Sequence, residues 1–191
     1  MKVKICGITT EEEVSFVNSC KPDFVGFVLC RKSKRFVPYE RAKRLLSLLS
    51  PDIRSVGVFL GNPVEEIEQC TAFDDWQLHE YTEEELSALS GKPLIQAFSV
   101  RGEEDIKRAE RSKADFILLD HGKGGTGQSF DWSLSLPSRP FFLAGGLDEE
   151  KVKMAKRLSP YAVDVSSGVE REGKKDYEKI RRFIENARRE S

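Results

Sequence analysis

A strict alternation along the chain constrains its fold more than any other feature. Short apolar runs, each the length of one strand, are separated by stretches with helical spacing and helix start signals. The runs lie at 3–6 (VKIC), 23–29 (DFVGFVL), 53–60 (IRSVGVFL), 75–79 (DWQLH), 93–98 (PLIQAF), 114–119 (ADFILL), 140–144 (PFFLA) and 161–165 (YAVDV). Several are nearly continuous in apolar residues, the pattern of strands covered on both faces. Between them, Thr9 or Thr10 can cap a helix through Cys20, with Glu11, Glu12 and Glu13 in its first turn. Pro38 starts a helix that buries Leu45, Leu46, Leu48 and Leu49, and Asn62-Pro63 starts one with Val64, Ile67 and Cys70 at helical spacing. Thr82 caps EEELSAL, 103–111 is a charged helix, Asp148 caps a helix through Arg157, and a charged helix over about 176–189 closes the chain.

Buried strands alternating with helices imply a parallel sheet with right-handed crossovers. Eight such units predict an α/β fold of the closed (β/α)8 kind, a TIM barrel with eight parallel strands. Such barrels usually need ~200 residues or more, so at 191 residues this one is minimal, a single domain over 1–191. The economy falls on a shortened sixth helix, since only a brief helical turn fits between Trp132 and Pro140. An open doubly wound sheet is the alternative.

Composition removes several classes of function. No apolar run approaches the ~20 residues of a membrane span, and MKVKICGITT lacks the apolar centre of a signal peptide. The expected location is the cytoplasm. A net charge of −1 provides no global field to recruit nucleic acid or an acidic membrane. An anionic ligand must then be held by local groups. The four cysteines, Cys6, Cys20, Cys30 and Cys70, form no C-x-x-C pair, and His79 and His121 are far apart in sequence. That spacing predicts free thiols and no metal site.

In a barrel, chemistry sits at the carboxyl ends of the strands. The candidates are therefore Cys6, Arg35 just past the second strand, His79, Asp120, Gly145-Gly146 and Ser166-Ser167-Gly168. Cys6 is either a small buried hydrophobe or a reactive thiolate. Arg35, in the basic turn RKSKR, is either solvated or a fork for a carboxylate. Asp120 ends an apolar run and opens into HGKGGTGQS; it either braces that loop or serves as an acid with a raised pKa. His79 reads more naturally as a hydrogen-bonded structural imidazole, and His121 as part of the exposed loop. The loop fails as a P-loop because Gln128 stands where the lysine must be. It fails as a dinucleotide fingerprint because Phe130-Asp131-Trp132 and Pro137 cut the following segment short. Glycines after the sixth, seventh and eighth strands instead suggest backbone N–H groups around a phosphate.

Joined together, these segments resemble the phosphoribosylanthranilate isomerase family of tryptophan biosynthesis. The matching pieces are VKICGIT, GFV with KSKRF, VGVF, QLH, LLD with GGTGQSFDW, LAGGL, and VDVSSGVE with GKKD, in order over nearly the whole chain. The resemblance implies a (β/α)8 barrel that isomerises a phosphosugar–anthranilate substrate by an Amadori rearrangement. It implies Cys6 as general base, Asp120 as general acid and Arg35 as the residue gripping the anthranilate moiety. It implies a phosphate held around Gly125, Gly127, Gly145, Gly146, Ser167 and Gly168, with no metal or organic cofactor. Arg31 and Glu80 depart from the family pattern, where proline and glycine are common. The alternatives are another phosphosugar isomerase on the same scaffold, or a catalytically silent phosphate-binding or assembly partner. Oligomeric state stays open.

Overall fold

Strand β1 (Lys2–Cys6) pairs in parallel with β2 (Phe24–Val28) on one side and with β8 (Ala162–Val165) on the other. That second pairing, Lys4 opposite Asp164 and Ile5 opposite Val165, closes the sheet. The structure, a computed structural model, describes residues 1–121 and 136–189. Between the closing strands run β3 (Arg54–Leu60), β4 (Asp75–His79), β5 (Leu94–Val100), β6 (Phe116–His121) and β7 (Phe141–Ala144), each hydrogen-bonded to its sequence neighbours in one closed barrel of eight parallel strands. Closure excludes the open doubly wound sheet. Around it lie α1 (Glu11–Cys20), α2 (Tyr39–Leu46), α3 (Val64–Glu68), α4 (Glu83–Ala88), α5 (Glu103–Glu110), α6 (Lys151–Ala155) and α7 (Tyr177–Arg188). The expected short sixth helix between Trp132 and Pro140 falls largely outside the described residues, as do Gly125 and Gly127. No helix among the described residues is long and apolar enough to cross a membrane.

The alternation of strand side chains divides the core in two. Outward residues such as Ile5, Val25, Phe27, Leu119, Leu143 and Val163 pack under Val14, Val17, Ala42, Leu45, Ile180 and Phe183 of the helices. Inward residues form a second cluster, including Phe24, Val56, Val58, Ile95, Leu118 and Phe142. At the amino-terminal end the rings of Phe24, Phe116, Phe142 and Tyr161 lie against one another and make an aromatic floor. Above that floor the inward positions turn polar: Lys4 and Cys6 on β1, Gln77 and His79 on β4, Asp120 on β6, and Asp164 on β8. Burying so many polar groups costs free energy unless they are paired, so this region is where a function is expected.

Local details follow the sequence with a few shifts. Thr10 caps α1 in a reciprocal box with Glu13, whose Oε2 also accepts from the Thr9 amide at 2.6 Å. Asp148 Oδ1 accepts from the amide of Lys151 at 2.8 Å and opens α6, which tightens into a 3-10 turn at Lys156–Leu158. Leu48 is exposed because α2 ends at Leu46, one turn earlier than the leucine pattern suggests. Strand β6 begins and ends two residues later than the apolar run. Ser99 pairs with Asp120 and Val100 with His121, so the ladder continues through the first polar residues. His121 is thus the last strand residue rather than part of a loop. After β8, a 3-10 turn (Ser167–Val169) leads into a small antiparallel hairpin, β9 (Glu170–Arg171) with β10 (Lys174–Lys175), that the sequence pattern does not announce.

Candidate active site

A cavity of about 440 Å³ opens at the carboxyl edge of the barrel. Cys6, Arg35, His79, Asp120, Gly145, Gly146 and Ser167 all line it, joined by Lys34, Gln77, Asp164 and Ser166. Cys6 and Asp120, 114 positions apart in the sequence, thus face the same space, as do the other strand-end candidates. Gly168 is not among the lining residues. A Cβ there would come 1.9 Å from the Leu147 carbonyl oxygen, so this glycine lets the loops after β7 and β8 touch. Gly145 and Gly146 have φ of 96° and 61°, a left-handed pair that glycine adopts without strain.

Two close approaches set the thiol and the guanidinium in position. A Cβ on Gly26 would lie 2.8 Å from Cys6 Sγ, so the thiol packs directly on the backbone of β2. Gly7 has φ of 87°, and a Cβ there would come 2.3 Å from Arg35 Cδ. Arg35 therefore folds back over the end of β1. Its Nε and Nη2 donate to Glu170 Oε1 and Oε2 at 2.6 and 2.9 Å, a bidentate fork. Lys175, almost fully buried, donates to the same Glu170 Oε1 at 2.7 Å and to the Ser166 carbonyl at 3.0 Å. Although burial opposes it, the hydrogen bonds from Arg35 and Lys175 hold the Glu170 carboxyl below its ordinary range. Glu80, exposed at φ of 63°, lines a neighbouring cavity after β4 rather than this one.

The titratable groups are pushed apart by their surroundings. Burial, with the charge of Asp164 second, raises the Asp120 carboxyl to about 6. Its Oδ1 is buried with no hydrogen-bond partner among the described residues, which fits a group that waits for a ligand. Burial also raises the Cys6 thiol above its usual value, against the pull of Lys4 and Lys175. Burial, together with the charge of Lys4, lowers His79 to about 4, so its imidazole is neutral at pH 7. Gln77 Nε2 lies 2.7 Å from His79 Nε2, and a donation along this contact puts the ring proton on Nδ1. All four cysteines are free thiols. No cluster of metal-ligating side chains occurs among the described residues.

The structure adds residues that sequence reasoning missed. Lys4 and Asp164 form a buried ion pair at 2.9 Å inside the barrel. A signal existed: Lys4 stands two residues before Cys6 in an apolar run, and therefore on the same strand face. Glu170 and Lys175 carried no such mark, because their meeting depends on the hairpin.

The chain matches the family model for N-(5'phosphoribosyl)anthranilate (PRA) isomerase over residues 3–186. It is 40% identical over 200 residues to the N-(5'-phosphoribosyl)anthranilate isomerase of Thermoanaerobacter pseudethanolicus, covering 98% of each chain. Its fold superposes on the phosphoribosyl anthranilate isomerase of Thermotoga maritima with a TM-score of 0.91, at 40% identity over 98% of both chains. A phosphoribosyl anthranilate isomerase crystallised with reduced 1-(o-carboxyphenylamino)-1-deoxyribulose 5-phosphate is similar at a TM-score of 0.88 and 40% identity, again over 98% of both chains. This chain belongs to the N-(5'-phosphoribosyl)anthranilate isomerase family.

Proposed function

We propose that the chain converts N-(5-phosphoribosyl)anthranilate into 1-(2-carboxyphenylamino)-1-deoxyribulose 5-phosphate, the Amadori step of tryptophan biosynthesis, with Asp120 as general acid and Cys6 as general base. Family membership supports the reaction. The observation that carries the assignment of roles is the pairing of a carboxyl raised to about 6 with a thiol lining the same cavity. Protonated Asp120 gives its proton to the furanose ring oxygen. The C1′–O bond breaks, and the anthranilate nitrogen lone pair forms an iminium. The thiolate of Cys6 then removes the C2′ proton, which the iminium has acidified. The resulting enolamine tautomerises to the ketone. Every electron pair that moves belongs to the substrate or to these two side chains, so the scheme calls for no cofactor.

The remaining candidates divide the substrate between them. Arg35 faces the anthranilate carboxylate, held at the cavity by Glu170. Backbone groups around Gly145, Gly146, Ser167 and Gly168 take the phosphate, joined by Gly125 and Gly127 from outside the described residues. His79, lowered to about 4 by burial and the charge of Lys4, is a hydrogen-bonding wall and too weak a base to compete with a thiolate for the proton. The barrel is then a single catalytic domain over 1–191, working in the cytoplasm on a small-molecule substrate. A relative crystallised with reduced 1-(o-carboxyphenylamino)-1-deoxyribulose 5-phosphate supports this division of the substrate.

The protonation states have a kinetic consequence. The productive form needs the carboxyl protonated and the thiol ionised, yet the thiol is the weaker acid of the two. Thiol-plus-carboxylate and thiolate-plus-acid carry the same number of protons, so their ratio does not change with pH. Because burial raises the thiol above its ordinary value while the carboxyl titrates near 6, the productive form is a small minority at every pH. A flat plateau of kcat/KM is expected between a limb near pH 6 and a second limb above the usual thiol range.

The reading is tested with purified protein and freshly generated substrate. Loss of anthranilate fluorescence and rescue of a tryptophan auxotroph are expected, and the absence of both defeats it. A variant checks the phosphate wall. Gly168→Ala forces the loops after β7 and β8 apart and is expected to raise KM about tenfold, the loss of roughly one charge-assisted hydrogen bond. A KM unchanged in steady-state assays would remove that loop pair from phosphate binding.

A further inference from the structure

Two charged side chains inside the barrel have no part in the scheme above. Lys4 is completely buried, and its Nζ lies 2.9 Å from Asp164 Oδ2. Their Cα atoms are register partners across the β1–β8 seam. Lys4 and Cys6 are two residues apart on β1 and share its inward face, so Lys4 enters the barrel one layer below the thiol, above the aromatic floor. Asp164 lines the cavity, and its Oδ1 is buried with no hydrogen-bond partner among the described residues. Packing gives no reason for this pair. Apolar side chains of similar volume in place of a buried ion pair are often neutral or stabilising, and the neighbouring inward layer is built from Phe24, Ile95, Leu118 and Phe142.

We propose that Lys4 is a positioning residue for proton abstraction: held by Asp164, it places a fixed positive charge beneath Cys6 and supports the thiolate. The proposal deepens the assignment of Cys6 as base and rests on it. Burial raises the thiol, and the largest opposing influence is the charge of Lys4. Lys175 from the hairpin adds to the pull, and Asp164 from β8 opposes it. Lys34, Arg35, His79 and Asp120 are the other charged or titratable groups that line the cavity among the described residues. Asp164 has a second effect. Burial lowers the Lys4 amine, but the Asp164 carboxylate first, with the Cys6 sulfur, outweighs burial and holds it above its ordinary value, so the amine stays charged. The tether therefore maintains the very charge that the thiolate needs. Because the productive form is a minority at every pH, support for the thiolate passes directly into the plateau rate.

The experiment is the pH profile of kcat/KM for wild type, Lys4→Met, Lys4→Arg and the double variant Lys4→Met/Asp164→Leu. Lys4→Met is expected to move the alkaline limb upward by about one pH unit and to lower the plateau about tenfold, one factor of ten for each unit. Lys4→Arg, which keeps the charge, is expected to retain most of the wild-type limb. The double variant removes the pair without leaving an orphaned carboxylate. It answers the question if Lys4→Met fails to fold, and its limb is expected to move in the same direction. A folded Lys4→Met or double variant with an unmoved alkaline limb overturns the proposal. So does a Lys4→Arg limb displaced as far as that of Lys4→Met. Failure of the underlying reading is distinguishable, because Cys6→Ser would then keep turnover with the wild-type limb.

Discussion

Serine in place of Cys6 is expected to lower kcat by roughly 10²–10⁴-fold, the usual contribution of a positioned general base, with KM within a few-fold of wild type. The exchange is nearly isosteric. The thiol packs on the backbone of β2, where even a Cβ on Gly26 would approach to 2.8 Å, and the smaller hydroxyl fits that space. The loss is therefore chemical: a hydroxyl does not ionise in the accessible pH range, and the charge supplied by Lys4 and Lys175 cannot make up the difference. Steady-state turnover followed by anthranilate fluorescence gives the number, and a thermal melt confirms that the barrel is intact. Retention of more than a tenth of wild-type kcat would mean that another group abstracts the C2′ proton.

Asparagine in place of Asp120 is expected to cost a similar factor in kcat, because the amide cannot protonate the ring oxygen. It should also change stability in a direction that a structural carboxylate would not. The folded-state pKa of about 6 lies above the ordinary carboxyl value of 3.8. Between those two values the folded protein binds more protons than the unfolded chain, so wild-type stability falls as pH rises through that window. Below it the carboxyl is neutral in both states and contributes no penalty. Above pH 6 the buried charge costs of order 2–3 kcal/mol. Asp120→Asn carries no such charge. Urea unfolding should find the variant more stable than wild type at pH 8 and about equal near pH 3.5. Lower stability of the variant at pH 8 would show that Asp120 braces its loop instead of being held ready at a cost in stability. The acid limb of the wild-type kcat/KM profile should fall near the same pH at which the stability curve bends.

The two variants probe one physical arrangement from opposite ends. Asp120 and Cys6 both pay for burial with a raised pKa, but only the acid is helped by that shift. A thiolate at Cys6 needs a countercharge, and the charges of Lys4 on β1 and Lys175 on the hairpin provide one. On this reading the polar layer of the barrel carries Lys4 beside its carboxylates and is not simply acidic.

Much of this was legible from the chain alone, for reasons of periodicity. Apolar runs separated by capped helical stretches specify how many strands form and which face each helix buries, since these depend on neighbours within a turn or two. Thr10, Thr82 and Asp176 cap their helices as local chemistry requires. The candidates at strand ends were legible too, because a parallel barrel puts all its carboxyl ends on one rim. The boundary of β6 was less so. Hydropathy stops at Leu119, whereas the ladder with β5 carries Asp120 and His121 along.

Contacts between distant segments were beyond periodicity altogether. Lys4 meets Asp164 across 160 positions, and Arg35 meets Glu170 across 135. A lysine inside a strand, or an arginine in a basic turn, says nothing about which carboxylate will neutralise it. The sequence by itself determined the strand count, most helix starts and the rim on which chemistry would sit, and its family resemblance singled out Cys6, Asp120 and Arg35 as candidates there. Closure of β8 against β1 decided the rest, because proton affinity depends on burial and on charges a few ångströms away. Only the folded barrel brings those charges together.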